Sequence, residues 1–479
     1  MTFAHLFFMG SGYLIRLLLG RYFAPAVYGS FGIIISLLNI LSTLSVSGVY
    51  KSMAKFIASA PKTTKKILKF SLKLEFLIAL IFTFLFFFLA EPVARIIFKD
   101  ASLVLPLKII SLILPFYIFR SVFLGLLLGL KEYFELSLIN IFSAVVKVVL
   151  AIGVVLLGYR LIGILFVYLI TAIASLLLGI WFVLKKEFRG QDSDFNKGTF
   201  LNWSLLLTAL AFVTPFFRDL SLYLLKYLEV VPDKIGFYNA AMTLGSLPAV
   251  LSVGLAGAIL PAVSATYTQK KFDYVKDQIN DVLRYSFLFL LPMVIVLSLS
   301  AEKIMALVFS EIYREASLAF GILIFGFFFF ALYNILNSVL IAIGKGKEIL
   351  IYSAFLILVY LLLSAGLIPR YDINGAALAS LIIFFLSFLI FLIIVSQNVG
   401  RIWLKPWLFK IPFFSLLTGL IFYFLLDLLR PQNLFLLLFL YFLAGVVYFL
   451  FLLFFKEITR RDFKLIVNIF FHDRFRIRK

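Results

Sequence analysis

Cysteine is absent from the chain, and histidine occurs only as His5 and His472. Without a thiol there is no disulfide, no sulfur nucleophile and no Cys-ligated metal, and two histidines at opposite ends do not make a His-based metal site. Charge is scarce as well: Asp, Glu, Lys and Arg make up 14% of the residues, against about 25% in an ordinary soluble domain. Acid is the rarer sign, with 23 Asp and Glu against 44 Lys and Arg for a net charge of +21. Long polar stretches are missing, so no connection could bury the core of an independent enzyme domain. No Gly-x-x-x-x-Gly-Lys-Ser/Thr phosphate loop occurs, which argues against a self-contained ATP-driven pump.

Apolar residues fill the space, at 64% of the chain, more than a water-soluble fold could hide. Runs such as IALIFTFLFFFLA at 78–90 and LFLLLFLYFLAGVVYFLFLLFF at 434–455 are continuous rather than alternating. They read as membrane helices, which need roughly 20 apolar residues to cross about 30 Å of hydrocarbon; continuous runs exclude the alternating strands of a barrel. Fourteen crossings are predicted, at 3–20, 28–49, 70–90, 103–128, 134–156, 161–184, 201–225, 237–263, 280–299, 316–342, 349–368, 374–396, 406–426 and 434–455. The first carries Arg16 and no cleavage signature follows it, so it reads as a retained helix. The 59 Phe and 22 Tyr suit lipid contact and interfacial belts. Pro106, Pro115, Pro215, Pro248 and Pro292 fall within or near these runs and predict bends, because each removes a helical hydrogen bond.

In a membrane protein the positive excess belongs to cytoplasmic loops rather than to nucleic acid. Lys51, Lys55, Lys62, Lys65 and Lys66, then Lys185, Lys186, Arg189 and Lys197, then Lys345 and Lys347, Arg401 and Lys405, and the tail with Arg460, Arg461, Lys464, Arg474, Arg476, Arg478 and Lys479 all fall on one side. Both termini are therefore expected in the cytoplasm of a cell-membrane protein, with the tail meeting anionic headgroups.

The chain also repeats itself. LKYLEVVPDKIGF at 225–237 echoes LLGRYFAPAVYGS at 18–30, with Pro232 matching Pro25 and Gly236 matching Gly29. GKGKEILIYSAFLI at 344–357 echoes GLKEYFELSLINIF at 129–142, and Ile373-Asn374-Gly375 echoes Leu161-Ile162-Gly163. Copies separated by an even number of crossings insert the same way up, a parallel repeat. The expected architecture is all-α: an N-terminal lobe of six helices at 1–184, a linker at 185–200, a second six-helix lobe at 201–397, two added helices at 398–455 and a basic tail at 456–479.

These residues resemble the oligosaccharide-lipid flippase branch of the multidrug, oligosaccharidyl-lipid and polysaccharide exporter superfamily. The resemblance rests on Gly20-Arg21-Tyr22-Phe23, Pro25 and Tyr28-Gly29-Ser30-Phe31, on their counterparts Arg218-Asp219, Leu224 to Leu228, Val231-Pro232 and Ile235-Gly236-Phe237-Tyr238, and on the turn Gly129-Leu130-Lys131-Glu132. It implies two six-helix lobes about a V-shaped cavity and transport by alternating access. The peptidoglycan-precursor flippase of the same superfamily shares the layout but has several arginines in its first two helices, where this chain has Arg16 and Arg21 in the first alone.

Ionisable groups deep in lipid usually face a cavity or a partner. Arg120 and Lys147 fall midway along the fourth and fifth runs and are candidates to hold the phosphate or pyrophosphate of a polyprenyl-linked sugar, Arg as a bidentate donor and Lys as a point charge; a structural clamp is the plainer alternative. Arg218 is a further candidate for the anion, and Asp219 for a coupling ion or an interlobe contact. As neighbours about 100° apart on a helix, the two are expected to seek separate partners. Arg16, Asn39 and the single-faced pair Lys51 and Lys55 complete the candidate substrate site, while Lys73, Glu75, Lys108 and Arg284 sit near run ends and read as interfacial. The predicted function is flipping of a lipid-linked oligosaccharide from the cytoplasmic to the outer leaflet by a monomer, with no cofactor, no nucleic acid, and sodium or protons as a coupling ion. A sodium- or proton-coupled multidrug antiporter would favour acids in its cavity, where this chain has bases. A glycosyltransferase would need a large outer loop, and an envelope scaffold or a peptidoglycan-precursor flippase stays open.

Overall fold

The computed structural model describes residues 2–186, 195–400 and 407–457, with side chains from Phe7 onward. Arg189, Arg401, Lys405, Arg460, Arg461, Lys464, Arg474, Arg476, Arg478 and Lys479 lie outside the described residues. Among those described, all regular structure is helical: α1 Thr2–Tyr22, α2 Pro25–Ser59, α3 Thr64–Pro92, α4 Val104–Gly129, α5 Tyr133–Leu156, α6 Leu161–Leu184, α7 Lys197–Tyr227, α8 Pro232–Gly245, α9 Leu247–Thr268, α10 Phe272–Leu299, α11 Ala301–Val308, α12 Ser317–Ala342, α13 Gly346–Val399, α14 Trp407–Leu429 and α15 Leu434–Phe454.

Twelve helical stretches are long and apolar enough to cross a membrane. One of them, α13, holds 54 residues, about 81 Å at the usual helical rise and more than twice the thickness of a bilayer core. Its backbone leaves helical geometry at Asp372, φ 50° and ψ −128°, so it makes two crossings. With α1, which is 21 residues long, the total reaches the fourteen that the apolar runs predict. Pro248 acts as expected: α8 and α9 are separated at Ser246, two residues before it. Pro at the first helical position needs no N–H there, and α2 and α8 both begin on one.

Residues group into two compact units, 1–245 with 315–323 and 344–387, and 246–314 with 324–343 and 388–479. In the first unit α2 packs against α4, α7 and α8, and α1 against α5. One end of its core is a cluster of Val49, Met53 and Ile57 from α2, Ile67 from α3, Val122 and Leu126 from α4, Ile139 from α5 and Phe200 from α7. The echo between segments 18–30 and 225–237 has a physical basis at the other end. A Cβ on Gly236 would lie 1.9 Å from the Pro25 carbonyl oxygen, and one on Gly29 would lie 2.8 Å from the Gly236 nitrogen. The matched glycines of the two copies thus press backbone against backbone, which only Gly permits. Asp233 then accepts a 3.0 Å bond from the Ala26 N–H, satisfying a free donor at the start of α2, and the Asn239 amide donates to the Tyr28 carbonyl at 2.9 Å.

Ion pairs join the same end of the first unit. Asp100, in the α3–α4 connection, pairs with Lys226 at 2.7 Å; Lys99 pairs with Glu229; and Lys234 pairs with Asp372 at 2.5 Å. Toward the opposite end α2 stays close to α7: Ser36 donates to the Tyr223 hydroxyl at 2.7 Å, and a Cβ on Gly48 would meet the Ser204 carbonyl oxygen at 2.2 Å.

The second unit holds α10 against α9 and α14, with α15 on α14. Val296, Phe422, Leu440 and Ala444 form its core cluster.

Candidate functional site

The intramembrane cations of the first unit form a strip. Lys147 is buried, 6% exposed, with its Nζ 4.7 Å from the centre of the Phe8 ring and 5.3 Å from that of Tyr168. Aromatic faces are a weak substitute for an anion, and among the described residues Lys147 has no acidic partner. It lies within electrostatic reach of two further cations, Arg120 and Arg16. Arg120 donates from Nη2 to Asn140 Oδ1 at 3.0 Å, while its buried Nε has no partner. The Tyr50 and Tyr117 phenols lie within electrostatic reach of it. Arg16 is half-buried on α1, in reach of Tyr28 and Tyr168.

Arg218 and Asp219 contradict the expectation of separate partners. Arg218 donates from Nε to Asp219 Oδ1 at 2.6 Å and from Nη2 to Oδ2 at 2.8 Å. Both side chains leave α7 in different directions, but the guanidinium stem is long enough to curl back onto its neighbour, and the planar fork fits both carboxylate oxygens. Asp219 is fully buried, whereas about a third of the Arg218 side chain, 31%, stays exposed. Tyr13 and Tyr223 lie within electrostatic reach of Arg218. Beside this pair the hydroxyls of Tyr238, Ser221, Ser380 and Tyr360 are linked, Tyr238 donating to Ser221 at 2.7 Å and Tyr360 sharing a 2.6 Å bond with Ser380.

Four predicted residues, Arg16, Arg120, Lys147 and Arg218, therefore belong to one tyrosine-rich strip whose one ion-paired carboxylate, Asp219, is engaged by Arg218. The other three predicted residues all lie on α2. Asn39 is half-buried on α2. Lys51 is exposed directly after Tyr50, and Lys55 is exposed with its Nζ 3.3 Å above the Trp203 ring.

Two features escaped the sequence reading. Glu75 is buried, 0% exposed, and neither carboxyl oxygen has a hydrogen-bond partner; it is not interfacial. The second unit contains an apolar cavity of about 370 Å³ between α10, α14 and α15, lined by Leu288, Phe289, Val296, Phe449 and Leu452, with Arg284 at one end. Arg284 also donates to the Glu457 carbonyl. A cavity walled by Leu and Phe leaves no distinctive residue pattern in a chain this apolar.

Comparison with known proteins fixes the family. The profile of the polysaccharide biosynthesis protein family matches residues 1–267, and that of the MatE family matches residues 220–365. The chain belongs to the polysaccharide biosynthesis protein family. It is thereby a member of the multidrug, oligosaccharidyl-lipid and polysaccharide exporter superfamily, as its residue patterns suggest, and a multi-pass membrane protein. It is 27% identical over 408 residues to the stage V sporulation protein B of Bacillus subtilis, covering 77% of each chain. A putative O-antigen transporter of Shigella flexneri is 31% identical over 152 residues, 31% of this chain and 35% of that one. Among solved structures, the lipid II flippase MurJ in an inward closed conformation superposes with a TM-score of 0.76 at 18% identity, over 96% of this chain and 99% of that one. An inward-facing MATE family multidrug resistance transporter gives 0.70 at 14% identity, over 81% and 94%. These likenesses establish the shared fold.

Proposed function

We propose that the protein flips a lipid-linked oligosaccharide, a polyprenyl phosphate or pyrophosphate sugar, from the cytoplasmic to the outer leaflet of the cell membrane. The observation that carries this reading is the strip of Arg16, Arg120, Lys147 and Arg218, in which three cations have no acidic partner among the described residues. Such groups are expensive to hold inside a membrane. An anionic cargo repays them: a phosphate accepts from the free Arg120 Nε and from the Lys147 ammonium, and it gives Arg218 a competing partner to Asp219. Cationic drugs would be repelled, which disfavours a multidrug exporter despite the shared fold. The names of the relatives, a putative O-antigen transporter and a lipid II flippase, agree with a saccharide-bearing lipid as cargo. The apolar cavity with Arg284 at its end suits part of the lipid chain.

The cargo changes leaflet without any bond being made or broken, so the protein acts as a transporter and not as an enzyme. The lysine-rich ends of α2 and α3 and the Lys345–Lys347 turn face the cytoplasm by the positive-inside rule, with both termini on that side. The Gly29–Gly236 contact and the ion pairs at Asp100, Glu229 and Asp372 then close the outer end. Rocking of lobe 1–184 against lobe 201–397 would part them to release the cargo. Purified protein in liposomes should move a polyprenyl-linked sugar between leaflets, and Lys147→Met should slow it. Export of organic cations with no movement of sugar lipid refutes the assignment.

A further inference from the structure

Helix α3 lies at the rim of the first unit. Phe76, Leu77, Phe84 and Phe88 are exposed on its outer side, and its buried face is a narrow stripe of Thr64, Ile67, Ser71, Glu75 and Ala79, spaced three or four residues apart and turned toward α4 and α2. A carboxyl group therefore sits on the one face of α3 that water and headgroups do not reach. Ser71, one turn earlier on the stripe, and Ser52 on α2 are also buried hydroxyls without partners.

Cations occur on the helices around Glu75, but among the described residues none of them pairs with its carboxyl group. The charged and titratable groups on the elements packed against α3 are Tyr50, Lys51 and Lys55 on α2, Lys108, Tyr117 and Arg120 on α4, Lys62 in the turn before α3, Arg95 in the turn after it and, at the start of α7, Lys197, whose Nζ lies 5.9 Å from the Phe70 ring centre; α3 itself carries Lys65, Lys66, Lys69, Lys73 and Glu91. Lys55 lies over Trp203, Lys108 lies 5.3 Å from the Phe87 ring centre, Arg120 bonds to Asn140, and Arg95 pairs with Glu91. Glu75 itself has neither a hydrogen bond nor an ion-pair partner among the described residues. An unpaired carboxylate in a dry, apolar bundle is far costlier than the neutral acid, so Glu75 carries a proton in this packing.

We infer that Glu75 is a proton-binding site, and that exchange of its proton couples movement of the lipid-linked sugar to a transmembrane proton gradient. The coupling half of this inference rests on the flippase reading; the proton site does not. The step is a simple acid dissociation: the O–H bond breaks when α3 separates from α2 and α4, the proton passes to water, and the carboxylate is tolerated only while hydrated. Repacking of α3 requires a proton to return. Because Glu75 lies in the half of α3 nearer its lysine-rich start, release is to the cytoplasm, and proton influx drives the lipid outward.

The test uses the full chain in liposomes. Infrared spectra should show the carbonyl stretch of an un-ionised carboxylic acid near neutral pH, which disappears in Glu75→Gln and shifts in Glu75→Asp. In the same liposomes, with one proton per lipid, each unit of imposed pH difference should change the wild-type leaflet ratio of the sugar lipid about tenfold, the equivalent of about 1.4 kcal/mol. Glu75→Gln, which mimics the protonated form, should still equilibrate the lipid but ignore the gradient. A wild-type spectrum with no such band, or a Glu75→Gln protein that responds to the gradient like wild type, overturns the inference. If the wild type moves no sugar lipid while its band is lost in Glu75→Gln, the flippase reading fails and the proton site stands.

Discussion

Gly236→Ala is the smallest change that strikes the outer closure. The added methyl would lie 1.9 Å from the Pro25 carbonyl oxygen and 2.8 Å from the Pro25 Cα. Both are backbone atoms, so no side chain can swing aside. Restoring ordinary contact requires α2 and α8 to part by about 1.5 Å, because contacts become comfortable at 3.4 Å. Overpacking of this kind costs about 1–3 kcal/mol. The penalty applies only while the helices touch, so the equilibrium moves toward the parted state by about 5- to 150-fold. The chain has no cysteine, so Ser36→Cys supplies a single thiol two turns inside the contact, at a site only 3% exposed. An impermeant thiol reagent added outside should label it 5- to 150-fold faster when Gly236→Ala is present. Gly29→Ala, whose closest approach is 2.8 Å, should act in the same direction and less strongly. Equal labelling rates with and without Gly236→Ala would show that this contact does not close the path.

Three further outcomes follow from the same geometry. Asp219→Asn leaves Arg218 without its carboxylate; breaking a fully buried pair costs about 3–5 kcal/mol, and the 31% exposure of Arg218 lowers that, so thermal unfolding should show a clear but submaximal loss that a paired Arg218→Leu, Asp219→Leu replacement recovers without restoring transport. Lys147→Met retains the stem that packs on Phe8 and Tyr168, so the melting temperature should hold while affinity for a phosphorylated lipid falls by the about 1.5–3 kcal/mol of a charge-assisted hydrogen bond; equal affinity in a binding titration counts against the strip. Burial alone would raise the Asp100 carboxyl, but Lys226 and the Ser102 hydroxyl and N–H outweigh it and hold it below the usual carboxylate range. Its contribution is therefore complete above the unfolded value of about 3.9 and is lost only as pH falls through the lower folded one. Lys226→Met should speed outer labelling equally at pH 7.5 and 5.5, and a wild-type closure that opens at pH 6 contradicts this assignment.

The crossings were legible because lipid imposes a length and a composition that few other environments share. The Pro25–Gly29 and Pro232–Gly236 echo was legible because close backbone contact demands glycine at matched positions. What stayed hidden depends on where helices end and how side chains bend. The apolar run starting at residue 70 puts Glu75 near a helix end, but α3 begins at Thr64, which sets the carboxyl almost two turns deeper along the helix. Helical angles suggested that Arg218 and Asp219 diverge, and the flexible arginine stem cancels that angle. Lys51 and Lys55 sit on a part of α2 that continues to Ser59, ten residues past the expected end at 49, and there Lys55 packs over the Trp203 ring.

The central claim is that the strip recognises phosphate on a lipid. Binding of a polyprenyl phosphate sugar should be compared with binding of the same sugar on an uncharged polyprenol, using wild type and an Arg120→Gln, Lys147→Met double variant in nanodiscs. The wild type should prefer the phosphorylated lipid by tenfold or more, on the order of the about 1.5–3 kcal/mol per charged hydrogen bond, and the double variant should bind both alike. Equal binding of the two lipids by wild type, or a phosphate preference that survives loss of both cations, would contradict the account.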